Sequence, residues 1–329
     1  MPTPPSDSSF PLLVVTLNYR TSRLTIDCLQ SLEAEVQAIP GTRVVVSDNA
    51  SGDGSVEQIG QAIRENQWGD WATLMPLDRN GGFAFGNNAP IRAALQAEAK
   101  PDYVLLLNPD TVVRPGALQA LLDFMNANPT VGIAGSRLEN LDGTPQHSAF
   151  RFHSLFSEID AGLRLGMVTK LLQRWVIAQP IADAPCETDW VAGASMIVRR
   201  EVLETAGLMD EGYFMYYEEM DFCLQAKRSG WPCWYVPESR VVHFVGQSSG
   251  VTDRNRQLKR MPSYVFESRR RYFLKNHGWL YAVLADAAWT SGHLVWQLRR
   301  VIQRKPSCDP PKLLSDFLLN SVLLKGGQM

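Results

Sequence analysis

Four short apolar runs, each ending on asparagine, aspartate or glycine, constrain this chain more than any other feature of its sequence. Pro11–Leu17 runs into Asn18-Tyr-Arg20, and Thr42–Ser47 runs into Asp48-Asn-Ala-Ser-Gly-Asp-Gly54. Ala72–Leu77 precedes Asn80-Gly-Gly82, and Tyr103–Leu107 precedes Asn108-Pro-Asp110. Runs of this length, rich in valine and leucine and bounded by turn residues, are buried strands. Between them Leu24, Cys28, Leu29 and Leu32 recur at helical spacing, and further helices are expected at 56–65 and 86–97. Strands alternating with helices give right-handed βαβ units, hence an α/β fold with a mostly parallel sheet flanked by helices. Continuous rather than alternating apolarity means that both sheet faces are covered. Ligands of such sheets lie outside the carboxyl ends of the strands. Asn18, Asp48, Asn49, Asn80, Gly82 and Asp110 therefore converge on one rim.

The pattern weakens over 136–187, the part expected to be variable and acceptor-facing. Thr188–Val198 is expected as a strand returning to the core, Glu218–Ser229 as a helix, and Val241–His243 as a short strand. The first ten residues hold no basic segment, and Leu12–Leu17 is too short for a signal peptide or a membrane span. A net charge of −2 excludes a global polyanion binder, so no nucleic-acid partner is expected. The five cysteines contain no C-x-x-C pair, which favours reduced thiols in a cytosolic compartment over zinc or a disulfide framework.

Several clusters carry chemistry, each with a plainer reading beside it. Asp110 at a strand tip is a hard oxygen donor for Mg²⁺ or Mn²⁺; it equally suits an Asx turn or a cap ahead of a helix begun by Pro115. The 48–55 loop fits nucleobase and ribose recognition, or an ordinary surface turn. Tyr216-Tyr-Glu-Glu-Met-Asp221 sets three carboxylates at the start of a helical pattern. The helix dipole favours acids there, and a clustered acid with a raised pKa also suits a general base. His243, after an apolar strand, is a core histidine or a second metal ligand beside Asp110. The Arg269-Arg-Arg-Tyr-Phe273 run could neutralise phosphate, meet lipid head groups or be a solvated helix face.

Taken in order, these pieces resemble the family 2 glycosyltransferases of the GT-A fold, over roughly Pro11 to Gly278. The resemblance is carried by Val14-Val-Thr-Leu-Asn-Tyr19, Thr25–Leu32, Val46–Gly54, Asn80-Gly-Gly-Phe-Ala-Phe-Gly-Asn-Asn88 and Leu107-Asn-Pro-Asp110. Trp190-Val-Ala-Gly-Ala194, Tyr217-Glu-Glu-Met-Asp221 and His243-Phe-Val-Gly-Gln-Ser248 complete it. Within the family, Asn108–Asp110 and Arg269–Phe273 look most like bacterial rhamnosyltransferase-like enzymes of surface-polysaccharide assembly. The resemblance implies inverting transfer of a sugar, rhamnose in the narrower reading, from a dTDP- or UDP-linked donor to a hydroxyl of a glycan or lipid-linked glycan. It implies that Thr16, Asn18 and Asp48 hold the nucleoside, and that Asn80, Gly82, Phe83 and Asn87 line the donor pocket. Asp110, helped by His243, would bind the divalent cation. Trp190, Gly193 and Ala194 would shape the sugar and acceptor site with Glu218 and Asp221, and Glu219 would be the catalytic base. Two departures stand out: neutral Asn108 replaces an aspartate of the metal motif, and Glu219 is one methylene longer than the family's aspartate, which keeps Glu218 and Asp221 in play as bases.

The implied organisation is a disordered tail at 1–10, a catalytic domain at 11–256 and a C-terminal helical extension at 257–329. The catalytic domain would divide into a nucleotide-sugar half at 11–135 and an acceptor half at 136–256. In the extension, apolar residues from Leu280 to Ile302 recur at helical period, Trp289 and Trp296 lie seven apart, and Arg299, Arg300, Arg304 and Lys305 gather at one end. That pattern describes an interfacial helix on an anionic leaflet, making the protein peripheral on the inner face of the membrane; a helix packed on the catalytic domain or at a homodimer contact fits the same stripe. Two other function classes are a nucleotidyltransferase and a non-catalytic sugar-nucleotide-binding protein. The first calls for a basic glycine-rich loop after the first strand, which Asn18-Tyr-Arg20 is not; the second has no use for acids at both Asp110 and Glu219.

Overall fold

The computed structural model describes residues 9–244, 259–307 and 309–327, and the statements below concern these. The chain opens with β1 (Ser9–Asn18), α1 (Ser22–Ala38), β2 (Arg43–Asp48), α2 (Ser55–Glu65), β3 (Ala72–Pro76), α3 (Gly82–Gln96) and β4 (Lys100–Leu107). It continues through β5 (Thr111–Val113), α4 (Ala117–Ala127), β6 (Ile133–Glu139), β7 (Ala149–Phe150), α5 (Leu155–Leu163), α6 (Gly166–Leu171) and β8 (Cys186–Thr188). Next come β9 (Trp190–Val191), β10 (Ser195–Arg199), α7 (Arg200–Thr205), α8 (Glu218–Arg228) and β11 (Cys233–His243). Helices α9 (Ser263–His277), α10 (Trp279–Ile302), α11 (Leu313–Leu319) and α12 (Val322–Lys325) close it. Residues 1–8 of the expected tail lie outside the described residues. Ser9 and Phe10 belong to β1 rather than to a tail, because Phe10 is buried and pairs with Pro101.

The main sheet runs β3-β2-β1-β4-β10-β6-β11-β5, with β8 on β11. The pairs among β3, β2, β1 and β4 are parallel, as the alternating runs predict. Beyond β4 the sheet turns mixed: β10 enters antiparallel to both β4 and β6, and β11 lies parallel to β6. Both faces are indeed covered. Leu12, Val14, Val44, Val46, Leu105 and Leu107 pack under Leu29 of α1, Ile59 of α2 and Leu121 of α4. Leu13, Val15, Val104, Leu106 and Met196 pack under Ile91 of α3, Val202 of α7 and Phe222 of α8.

The stretch Thr188–Val198 is not one strand. Its ends belong to β8 and β10, and Trp190–Val191 pairs with β7 in a separate two-stranded sheet. Small residues at 192–194 allow the chain to turn there, so that Ser195 re-enters the main sheet beside Leu107. Helix α4 starts at Ala117, and its first amides are capped from a distance by Glu35 of α1, which accepts from Gly116 N–H (2.6 Å) and Leu118 N–H (2.9 Å). Asp110 therefore plays no part in capping α4, since it stands ahead of β5. The four described cysteines are unpaired; Cys308 is not among the described residues.

Helix α10 lies on α5 with Ala282, Ala285, Asp286 and His293 buried. Its docking is electrostatic as well as apolar. Arg269 of α9 donates to Glu158 of α5 (2.7 Å) and to Asp286 of α10, and the second oxygen of Asp286 accepts from Val322 N–H of α12 (2.7 Å). His153 meets the other oxygen of Glu158 at 3.1 Å. Arg271 pairs with Asp210, so two of the three consecutive arginines face the interior, where the sequence offered a phosphate, lipid or solvated face. Trp289 likewise stacks on Phe317 at 4.1 Å, and Trp296 is half-buried with its indole nitrogen enclosed.

Burial would push the Glu158 carboxyl up, but the charges of Arg269 and His153 hold it below the ordinary glutamate value of 4.5. Its stabilising contribution is complete above that value and is lost as the pH falls through the lowered one. Arg269→Met leaves two buried carboxylates without their counter-charge and should cost ~3–5 kcal/mol. Denaturant unfolding at neutral pH checks this; a loss below about 1 kcal/mol, the ceiling for an exposed pair, would refute the network's role.

Candidate active site

The rim is built where β1, β2 and β4 end. Asn18 and Asp48 close neighbouring strands in register, and the Asn18 amide donates to Asp48 at 2.6 Å. Ser51 fills the rest of that carboxylate with its backbone N–H (2.9 Å) and its hydroxyl (2.6 Å). Both Asn18 and Asp48 are buried, so they form a latch that fixes the 48–51 loop rather than a free carboxylate facing a ligand. Thr16 departs from its expected place: its side chain is wholly buried on the α1 side of β1, so as arranged it does not reach the rim. Asn87 is also turned inward, its amide donating to the Phe83 carbonyl one helical turn earlier (2.9 Å). Asn80 and Gly82 do meet at the rim. Asn49 organises them, donating to Asn80 (2.9 Å) and to the Gly82 carbonyl (3.1 Å) while accepting from Gly81 N–H (3.3 Å). The sequence placed Asn49 on the rim without a role; its signal was the Asp-Asn pair at a strand end.

Gly82 has φ of +88°, and a Cβ there would lie 2.0 Å from the Phe214 carbonyl oxygen. Its absence lets Phe83 N–H donate to that same carbonyl at 2.8 Å. The N-terminus of α3 is thereby joined to the loop leading into α8. That loop ends in consecutive left-handed residues, Tyr216 (φ +69°) and Tyr217 (φ +72°). Left-handed backbone costs a residue with a Cβ ~1–2 kcal/mol, so the surroundings must impose it.

The turn delivers Glu218 and Glu219. Glu218 is buried and Glu219 half-buried, and the Oε2 atom of each is buried without a protein partner. Buried polar atoms are nearly always paired, and exceptions mark strained or functional groups. Burial raises the pKa of both acids; Glu218 rises further because it also feels the charge of Glu219. Of the pair, Glu218 is the one whose ionised form is disfavoured twice, by burial and by its neighbour's charge. Asp221 does not join them. Its carboxylate is taken by Lys275 (2.6 Å) and Asn276 (2.6 Å) of α9, which removes it from the acceptor side and from candidacy as a base.

Gly193 and Ala194 hold the parts together. A Cβ on Gly193 would stand 3.2 Å from the Phe83 ring and 3.8 Å from Cβ of Glu219. The next carbonyl, of Ala194, accepts from Asn108 N–H at 3.0 Å. Donor helix, acid pair and the Asn108–Asp110 tip therefore meet at this dipeptide. Trp190 stands behind it, half-buried, stacked on Phe150 at 4.4 Å and donating to the Arg151 carbonyl (3.0 Å).

Strand β5 pairs with the end of β11 so that Thr111 faces His243, and this brings His243 Nε2 to 3.7 Å from Asp110 Oδ1. Phe244 N–H adds a 2.9 Å bond to the Asp110 carbonyl. Burial lowers the His243 pKa against the opposing pull of Asp110, so the imidazole is neutral near pH 7 and offers a lone pair. A carboxylate and a neutral imidazole at this spacing suit a divalent cation. Among the described residues no third histidine, cysteine or acid joins them, so such an ion would complete its shell with diphosphate oxygens and water. Val245–Ser248 of the expected motif lie outside the described residues.

The sequence profile of the family described as "Glycosyltransferase like family 2" matches residues 9–260. The chain belongs to that family. This glycosyltransferase is 28% identical over 272 residues to the N-acetylglucosaminyl-diphospho-decaprenol L-rhamnosyltransferase of Mycobacterium tuberculosis, covering 78% of this chain and 79% of the relative. It is 28% identical over 173 residues to rhamnosyltransferase WbbL of Escherichia coli K12, covering 50% and 62%. Among solved structures, GalNAc-T7 with UDP, GalNAc and Mn²⁺ superposes with a TM-score of 0.59 at 15% identity, over 91% of this chain and 56% of that one. The mannosyltransferase PcManGT of Pyrobaculum calidifontis, in complex with GDP-Man and Mn²⁺, gives 0.50 at 16% identity, over 98% and 74%. At such identities the likeness carries the fold alone, and that fold is the GT-A arrangement of the family 2 glycosyltransferases.

Gly82→Ala should break the junction between α3 and the Phe214 loop in this glycosyltransferase. The left-handed backbone alone costs ~1–2 kcal/mol, and the 2.0 Å overlap adds to it. The expected result is a lowered unfolding midpoint with weakened nucleotide binding, read by thermal unfolding with and without nucleoside diphosphate. An unchanged midpoint would refute the junction.

Proposed function

We propose that this glycosyltransferase transfers L-rhamnose, with inversion, from a dTDP- or UDP-linked donor to a hydroxyl of a glycan or lipid-linked glycan in surface-polysaccharide synthesis. The observation that carries the mechanism is the meeting of Phe83, Gly193, Ala194 and Glu219 beside the Asn108–Asp110 tip. The names of the relatives, rhamnosyltransferases among them, support the sugar and the acceptor class.

Glu219 takes the proton of the acceptor hydroxyl as that oxygen attacks the anomeric carbon. The bond to the nucleoside diphosphate breaks on the opposite face, so a single displacement inverts the centre. Glu218 lies beside Glu219, and burial together with the neighbouring charge disfavours a second carboxylate there. The Asn80–Gly82 turn, ordered by Asn49, lines the donor side. A divalent cation held by Asp110 and His243 would neutralise charge on the departing diphosphate. Asn108 contributes no charge there, which leaves more of that neutralisation to the cation itself.

The extension fits an anionic lipid surface. No helix among the described residues is long and apolar enough to cross a membrane. The outward face of α10 nevertheless exposes Leu284, Leu294, Leu298 and Ile302, at 47–72% of their surface, and α6 adds Met167 and Leu171. Beyond Gly278 the three acids, Asp286, Asp309 and Asp316, are all ion-paired with Arg269, Arg164 and Arg260. Arg304, Lys305, Lys312 and Lys325 stay exposed. Apolar area with excess positive charge is the composition that binds anionic leaflets. A lipid-linked acceptor would be met at that surface.

Glu219→Gln should lower kcat by ~10²-fold or more while leaving the donor KM near wild type, because it removes basicity and keeps shape. Glu218→Gln should be milder, since burial and the charge of Glu219 both disfavour the ionised form of that group. EDTA should abolish turnover and Mn²⁺ or Mg²⁺ restore it. Steady-state kinetics with dTDP-rhamnose as donor reads all three; wild-type turnover by Glu219→Gln, or indifference to EDTA, would reject the corresponding assignment.

The lipid contact is read by flotation. The full chain should rise with phosphatidylglycerol vesicles and not with phosphatidylcholine alone, and Leu294→Glu/Leu298→Glu should stay at the bottom. Flotation of both proteins, or of neither, would sink the proposal.

A further inference from the structure

The loop that aims the acid pair is held along its whole length by one face of a helix beyond the family profile, which ends at residue 260. Tyr264 of α9 lies against Phe214 (5.3 Å) and Tyr216 (6.2 Å). One turn on, the Ser268 hydroxyl donates to the Met215 carbonyl at 3.0 Å. Another turn on, Tyr272 packs on Tyr217 (5.7 Å), and Arg271 stands over Tyr213 (5.5 Å). Lys275 closes the row, bonded to Asp210 (2.8 Å) ahead of the loop and to Asp221 (2.6 Å) behind it. Residues 264, 268, 272 and 275 follow helical spacing, so a single stripe of α9 matches consecutive residues of the loop.

We propose that α9 is a splint for the catalytic acids: Ser268 and Lys275 are positioning residues that hold the left-handed Tyr216–Tyr217 turn and thereby point Glu218 and Glu219 into the pocket. The proposal rests on Glu219 being the base. Nothing local explains two consecutive tyrosines at positive φ, because neither is glycine, asparagine or aspartate, the residues that visit that region readily. The restraint comes from outside the loop, and α9 supplies it at every residue from 213 to 217. The ion pairs fix the two ends, Asp210 and Asp221, and the hydroxyl of Ser268 fixes the middle. Displacing a catalytic group by an ångström is enough to cost ~10²-fold in rate.

Ser268→Ala and Lys275→Met, each in the full chain, test it, with Ser268→Thr and Lys275→Arg as conservative partners. Ser268→Ala removes one hydroxyl and no charge, so it answers even if Lys275→Met does not fold. The expected result for Ser268→Ala is a ~10-fold or larger drop in kcat with donor KM changed less than about twofold. The acid limb of the kcat–pH profile should move down, since a loosened turn admits water to Glu219. Backbone amides of 213–219 should exchange about tenfold faster or more. Ser268→Thr should restore the rate. Unchanged kcat and unchanged exchange would overturn the splint. So would a kcat loss that comes with an equal loss of donor affinity and no shift of the acid limb, the signature of general destabilisation. A wild type inactive with dTDP-rhamnose would instead reject the proposed donor, and amide exchange of 213–219 would still decide the splint.

Discussion

One backbone hydrogen bond joins the two halves of the site. Phe83 N–H reaches the Phe214 carbonyl at 2.8 Å, and it does so only because Gly82 carries no Cβ and accepts a positive φ. On one side of that bond lies the rim at the ends of parallel strands, where a nucleotide is expected. On the other lies the strained turn that ends in Glu218. Gly193 lies in ordinary backbone conformation where Phe83 and Glu219 approach each other, a Cβ there standing 3.2 Å from the one and 3.8 Å from the other. One missing methyl group, at Gly82, thus lets the start of α3 meet the loop that leads to the acid pair.

The acid pair shows why burial and charge must be weighed together. A lone buried glutamate would simply keep its proton. In two adjacent glutamates the penalties add: burial pushes both carboxyls up, and Glu218, the more deeply buried, is pushed further by the charge of Glu219. The same physics runs in reverse at Glu158, where Arg269 and His153 outweigh burial and keep the carboxylate charged. At Glu158 that counter-charge is fixed beside the carboxylate, whereas buried Asp48 and Glu35 are held by neutral donors instead. Oε2 of Glu218 and Oε2 of Glu219 have neither, and that sets this pair apart.

The C-terminal helices are part of this arrangement and not an appendage. Arg269 ties α5, α9, α10 and α12 through a few charge-assisted bonds, and the neighbouring arginine and lysine on α9 grip Asp210 and Asp221. With every acid of the tail thus engaged, the exposed surface left over is apolar and basic. A single distribution of charge both locks the helices to the catalytic body and gives their outer face its composition.

Much of this was legible in the sequence. The order β1-α1-β2-α2-β3-α3-β4 follows from apolar runs of strand length, because buried parallel strands need apolar residues on both faces and their ends need turn formers. The same logic put Asn80, Gly82 and Asp110 on one rim, and the pairing of an acid with a distant histidine followed from the order of motifs. Sequence alone left other matters open. Thr16 and Asp48 resemble ligand residues, yet one faces the core and the other is saturated by Ser51, since which face a strand residue takes and which donors surround it depend on neighbours far along the chain. Asp221 stayed in play as an alternative base until α9 claimed it, and three consecutive arginines suited phosphate, lipid or solvent until acids of α5, α10 and the loop before α8 met two of them. Local periodicity determines elements and their ends; only the packing of distant elements decides where a charge finds its partner, because a carboxylate has the same sequence signature whether it is buried beside a lysine or left alone beside a substrate.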